Sequence, residues 1–191
     1  MLYLDAVDPS TAEGSLSPTI PEQDDSYTYV YDPAVDDSCG YVYTGSAAYI
    51  SPPFTEPMEI AGIPELVLHM TVDVPDTDVF AYLFELRVGD PQWHMITSGN
   101  LRLRFRNAFT APEPVVEGET LALRLKMVAV GYRIAVGSKL ALLVTSSECG
   151  QSENPNTGED MVSATETQAA HITILTGPTS PTHLVVPVVT P

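Results

Sequence analysis

The feature that most constrains this chain is a rhythm of short apolar runs broken by Pro, Gly and Asp. ELVLHMTVD, VFAYLFELRV, WHMITSG, NLRLRFRN, TLALRLKMVAV, KLALLVTSS, QAAHITILT and THLVVPVV follow one another, with VPDTD, GDP, APEPVVEGE and VGS between them. Runs this short, rich in β-branched and aromatic residues, suit strands, and the separators carry the residues that turns require. Earlier in the chain Tyr27, Tyr29 and Tyr31 alternate with Thr28 and Val30 until Asp32 and Pro33 end the run, and YVYTGSAAYI repeats the aromatic pattern. No stretch repeats apolar residues at the helical period; the nearest, from Gly158 to Gln168, is poorly patterned. Roughly eight to ten such strands predict an all-β fold, a jelly-roll antiparallel β-sandwich of the galactose-binding-domain-like kind. There is no fixed-period repeat of the solenoid type.

A length of 191 residues fits one domain. The expectation is a single sandwich over residues 1–191, with 5–25, rich in Pro, Ser, Thr, Glu and Asp, as an extended arm or loop. Leu2, Tyr3 and Leu4 read as a strand already under way, which sets the further expectation that the chain is excised from something longer.

Charge narrows the partners. The net charge is -17, and the eight basic residues all fall between Arg87 and Lys139. Such a surface repels phosphate backbones, so nucleic acid is excluded as a partner. No run approaches the roughly 20 apolar residues of a membrane span. MLYLDAVDPS lacks the basic and apolar regions of a signal peptide. Cys39 and Cys149 are far apart and form no CxxC, which leaves zinc unsupported; a disulfide and two free thiols are both compatible with the spacing. The compartment stays open, leaning to the cytoplasm.

Catalytic motifs are missing. No G-x-S-x-G occurs, and GET, VGS and TGED lack the lysine of a phosphate-binding loop. His69 and His171 sit inside apolar strands and read as core or sheet histidines, while His94 and His183 read as surface residues. DVPDTD gathers Asp73, Asp76 and Asp78, a turn or a calcium loop; turn capping by Asp side chains is the commoner use of such a cluster. No metal, cofactor or catalytic residue is assigned. In NLRLRFRN the alternation predicts Leu101, Leu103 and Phe105 on one sheet face and Arg102, Arg104 and Arg106 on the other, where they meet acidic loops of the same chain or dock another acidic domain.

Several segments, in order, resemble the C-terminal domain of the X-Pro dipeptidyl-peptidase and cocaine-esterase-like (CocE/NonD) serine hydrolases. They are LYLDA, DSYTYVYDPAVD, the ISPPF lead with its DTD loop, SGNLRLRFRN at Gly99, Arg102, Arg104, Phe105 and Arg106, VEGETLALRLKM, VGSKLALLVTSS, NPNTG and PTHLVVPVV. The resemblance implies a non-catalytic jelly roll packed on an α/β-hydrolase domain and lining its cleft. In that family the Ser-Asp-His triad lies in the hydrolase domain, upstream of this one. The parent would be an acyl esterase or dipeptidyl-peptidase and this chain alone inert. Arg102, Arg104, Arg106, Asn154 and Asn156 are the expected interdomain surface.

The chain also departs from the family. Gly137, Ser138 and Lys139 replace a usual Gly-His-Arg, and ECGQSE replaces a segment that normally holds aromatics and an Arg. An excised docking face would also favour self-association into a homo-oligomer. The alternative reading is a free-standing β-sandwich binding module for carbohydrate or a protein surface, with Trp93 and the tyrosines as stacking groups.

Overall fold

Period-2 patterning appears most plainly in one strand, where Leu66, Leu68, Met70 and Val72 are buried while Glu65, Val67, His69 and Thr71 are half-buried between them. The computed structural model describes residues 1–34, 45–148 and 154–189. Its strands are β1 (Leu2–Leu4), β2 (Glu13–Ser17), β3 (Asp25–Tyr31), β4 (Ser46–Ile50), β5 (Met58–Gly62), β6 (Glu65–Val72) and β7 (Asp78–Leu86). They continue with β8 (Trp93–Arg102), β9 (Leu121–Lys126), β10 (Val130–Ile134), β11 (Lys139–Thr145), β12 (Ala170–Thr176) and β13 (His183–Val185). No α-helix occurs among the described residues, including 158–168.

The strands form two layers. In one, β3 pairs β12, β12 and β13 pair one edge of β6, β9 takes its other edge, and β1 continues from β13. In the other the order is β2, β4, β11, β7, β8, and the β1–β2 pairing links the layers. A small pair, β5 with β10, stands apart. Leu68, Met70, Leu123, Ile172 and Ile174 of the first layer meet Ala81, Leu83, Leu140, Leu142 and Val144 of the second in one core. Each fully buried side chain of this size contributes about 1.5–3 kcal/mol, which makes the core the main source of stability.

Strand β7 is buried on both faces. Val79, Ala81 and Leu83 face the main core, while Phe80, Tyr82 and Phe84 form a second cluster with Ala141 and Leu143. Trp93 meets Phe84 edge-on at 5.4 Å. The layers close on each other beside β9, where Val128 N–H donates to Ser98 O at 2.9 Å and Thr97 Oγ1 donates to Val128 O at 2.7 Å. Gly99 lies at this seam, and a Cβ there would stand 2.5 Å from Lys126 O, so only glycine allows the approach.

The all-β sandwich agrees with the sequence reading; several details differ. Residues 5–25, expected as an arm, include β2, which joins β4 in a parallel pair inside an otherwise antiparallel fold. WHMITSG and the start of NLRLRFRN form one strand, β8, which ends at Arg102 and passes into a 3-10 turn over Leu103–Phe105. The alternation therefore fails beyond Arg102, and the three arginines do not share a sheet face. Tyr29, Tyr31 and Tyr49 are buried, so they pack the core and offer no stacking surface. Cys39, Cys149, Tyr41, Tyr43 and most of ECGQSE lie outside the described residues.

Candidate functional site

Three sequence-distant segments meet at one end of β7: the Asp73–Asp78 connection, the 3-10 turn after β8, and the Asn154–Gly158 segment. Each has a local reason to be irregular. Pro75 interrupts the first, and its carbonyl accepts Val115 N–H at 2.8 Å. In the third, Asn154 Oδ1 accepts Asn156 N–H at 2.9 Å, an Asx turn that places Asn156 at φ 64. In the second, the backbone trades ladder partners for the acidic loop: Thr77 O accepts Leu103 N–H at 3.0 Å, and Asp76 Oδ1 accepts Arg104 N–H at 2.9 Å.

The side chains then interlock. Arg102 grips Asp78 with two prongs, Nε to Oδ1 at 2.8 Å and Nη2 to Oδ2 at 3.0 Å, and Nη2 also reaches Met161 Sδ at 2.6 Å. Arg104 Nε lies 3.5 Å from Asp76 Oδ2, while its Nη1 donates to Gly158 O at 2.9 Å and Glu159 O at 3.2 Å. Asn154 Nδ2 bridges the two carboxylates, 3.4 Å from Asp76 Oδ2 and 3.0 Å from Asp78 Oδ1. Asn156 Nδ2 donates to Gln168 O at 2.7 Å. Asp76, Thr77, Asn154 and Asn156 are all buried.

Electrostatics follow from that burial. Loss of water raises the Asp76 carboxyl above its ordinary value, against the pull of Arg104 N–H, Arg102, Asn154 and the Arg104 charge. The Asp78 hydrogen bonds raise Arg102 further above its usual value. Pairing with fixed geometry and extra hydrogen bonds is what makes the buried Asp76 and the half-buried Asp78 tolerable here.

Of the expected surface residues, Arg102, Arg104, Asn154 and Asn156 thus spend their hydrogen bonds inside the chain. Arg106 goes elsewhere: its Nη1 donates to Leu103 O at 3.1 Å and Glu113 O at 2.6 Å. The three aspartates also part company. Asp73 accepts His171 N–H on Oδ1 and faces His171 Nδ1 with Oδ2, each at 2.7 Å, whereas Asp76 and Asp78 turn to the arginines. Among the described residues no group of three His, Cys, Asp or Glu side chains is arranged to hold a metal ion.

His171 stands exposed on β12 as a sheet histidine, and His94 pairs with Asp90 at 2.8 Å. His69 and His183 are half-buried beside Thr182 and the Pro181 carbonyl. Among the described residues none of the four bonds a serine hydroxyl, so a triad geometry is not assembled there.

One buried node escaped the sequence reading. Glu85, on β7, accepts Arg87 Nε and Tyr132 OH on Oε2, both at 2.8 Å, and Ala135 N–H on Oε1 at 3.0 Å. Burial pushes its carboxyl up, yet the hydrogen bonds from Arg87, Ala135, Tyr132 and Ser138 together hold it down at about 2. An acid inside the apolar run VFAYLFEL was the available signal. Ser138 is one of these donors. Met161 and Gln168, by contrast, gave no sequence signal for their places in the network.

Comparison with known proteins gives one family. Residues 2–185 match the X-Pro dipeptidyl-peptidase C-terminal non-catalytic domain. The chain is similar to cocaine esterase of Rhodococcus sp. (strain MB1 Bresler), 25% identical over 212 residues that cover 96% of this chain and 36% of that protein. An aminopeptidase from a marine sediment Thaumarchaeota archaeon has the same fold, with a TM-score of 0.84 at 18% identity over 100% of this chain and 37% of that one. An α-amino acid ester hydrolase gives a TM-score of 0.83 at 22% identity over 98% of this chain and 36% of that one. The chain therefore spans little more than a third of the length of these relatives.

Proposed function

The chain belongs to the X-Pro dipeptidyl-peptidase C-terminal non-catalytic domain family, and from that premise we propose that it is the accessory part of a larger CocE-like serine hydrolase. In this reading it packs on an α/β-hydrolase domain and lines the mouth of that domain's cleft. The parent cleaves esters or amides, and the nucleophile, base and acid all come from the partner domain.

The observation that carries the proposal is how the polar groups are spent. Arg102, Arg104, Asp76, Asp78, Asn154 and Asn156 bond one another and the backbone carbonyls of Gly158, Glu159 and Gln168, so this polar cluster is a brace. A brace at one end of a sandwich suits a domain that must present a fixed surface to a neighbour, since loops set by buried ion pairs cost less to order on docking. Of these, Arg102, Arg104, Asn154 and Asn156 were expected to form the interdomain surface; in this reading they shape it from beneath.

The test is direct. The purified chain turns over neither p-nitrophenyl acetate nor an Ala-Pro anilide above buffer, and turnover abolished by a serine-directed inhibitor would overturn the proposal. So would a reading frame that carries this chain but encodes no G-x-S-x-G domain. In that case the free-standing binding module returns, and a glycan array is its first measurement.

A further inference from the structure

We infer that the chain has a second binding feature, a cleft beside β9 that receives an extended, carboxylate-bearing peptide segment. This does not depend on the hydrolase reading. At Ser98 and Val128 the two layers are joined, and past that seam the chain after β8 and strand β9 both line a cleft. The cleft is about 440 Å³ and continues into a lobe of about 300 Å³, the two sharing Leu101, Arg106, Asn107 and Arg124. Volumes of this order accommodate several side chains of a ligand.

Three observations select the occupant. First, β9 pairs only with β6, so its edge toward the cleft offers backbone donors and acceptors without a strand partner among the described residues. Such an edge is a template for an added strand. Second, Arg106 is fixed but not neutralised. Arg87, Arg102, Arg104 and Arg124 each meet a carboxylate, at Glu85, Asp78, Asp76 and Glu65. Among the described residues Arg106 is instead held by two backbone carbonyls through Nη1, which leaves Nε and Nη2 for a ligand. A guanidinium with two free donors is matched to a carboxylate.

Third, Phe109 lines the smaller lobe and is 85% exposed, an apolar group that a peptide would cover and a bare anion would not. A second copy of this chain fits poorly. Pairing β9 with its own counterpart would bring the exposed Lys126 toward the cationic residues of the other copy. An acidic strand is complementary to Lys126 and Arg106, although Glu119 also lines the larger lobe and opposes acidic residues beside it.

The probe is a capped hexapeptide of alternating Val and Glu, titrated into the isotopically labelled chain, with Val-Gln and Val-Lys versions as controls. The Val-Glu peptide shifts the Arg106 Nε–H resonance and slows exchange of β9 amides. The Val-Gln version binds at least tenfold more weakly. Arg106→Gln weakens binding tenfold or more, and Lys126→Glu, an exposed position, weakens it severalfold. Arg133→Gln on β10 leaves it unchanged. Absence of shifts at millimolar peptide, equal binding of the Val-Gln peptide, or undiminished binding by Lys126→Glu would overturn the inference; the last decides the matter even where Arg106→Gln fails to fold. Because the isolated chain is used, failure here is separate from failure of the hydrolase reading.

Discussion

Arg102 closes a two-pronged ion pair on Asp78, Nε to Oδ1 at 2.8 Å and Nη2 to Oδ2 at 3.0 Å, and so ties the last residue of β8 to the first residue of β7. The two positions are register partners in the antiparallel ladder, which holds the side chains side by side before any charge is considered. Asn154 then joins the pair from a third segment. The arrangement makes the end of the sandwich a consequence of strand register.

Removing one partner of this pair is expected to cost more than the pair contributes. Asp78→Ala takes both close carboxylate bonds from the half-buried Arg102, leaving only Asp76 Oδ2 at 3.9 Å, and removes a bond from Asn154. Loss of about 3 kcal/mol is expected for breaking such a buried pair. For a chain of this length that is a fall in Tm of about 6–12 °C, read by thermal unfolding followed by circular dichroism.

At Asn156 the backbone and the side chain make separate demands. Asn156→Gly keeps the left-handed conformation and loses the bond to Gln168 O; Asn156→Ala loses the bond and strains the backbone as well. The glycine variant should lose about 1–2 kcal/mol and the alanine variant about 1 kcal/mol more. Urea unfolding of the two variants side by side checks the order.

Glu85 sets an acid limit. Its folded value of about 2 lies below the ordinary 4.5, so its contribution is complete above the unfolded value and is lost as pH falls from about 4.5 toward 2. The whole contribution is on the order of 3 kcal/mol. Glu85→Gln should be less stable at pH 7 and should flatten the dependence of stability on pH in that window, measured by urea midpoints from pH 7 down to 2.

Gly99→Ala tests the seam beside the cleft. The added Cβ meets backbone at Lys126 and Met127, which cannot rotate away as a side chain can. A loss of about 1–3 kcal/mol is expected from such overpacking. Faster hydrogen exchange at Val128 N–H, whose partner is Ser98 O, would report the opened seam.

Local pattern determined a good deal of this protein. Alternation in ELVLHMTV marked which residues of β6 are buried, and Pro and Gly placed most of the turns. The acid, arginine and asparagine segments were each recognisable as out of the ordinary in the sequence. Only the tertiary structure decided that Asp76, Asp78, Arg102, Arg104, Asn154 and Asn156 gather in one network while Asp73 leaves for His171. It also decided that Arg106 alone of the three turns to the cleft, and that β2 runs parallel to β4. The reason is physical. Side-chain period depends on a few neighbouring residues, whereas the partner of a buried charge or of a strand edge is chosen by segments far along the chain, where desolvation leaves no water to substitute.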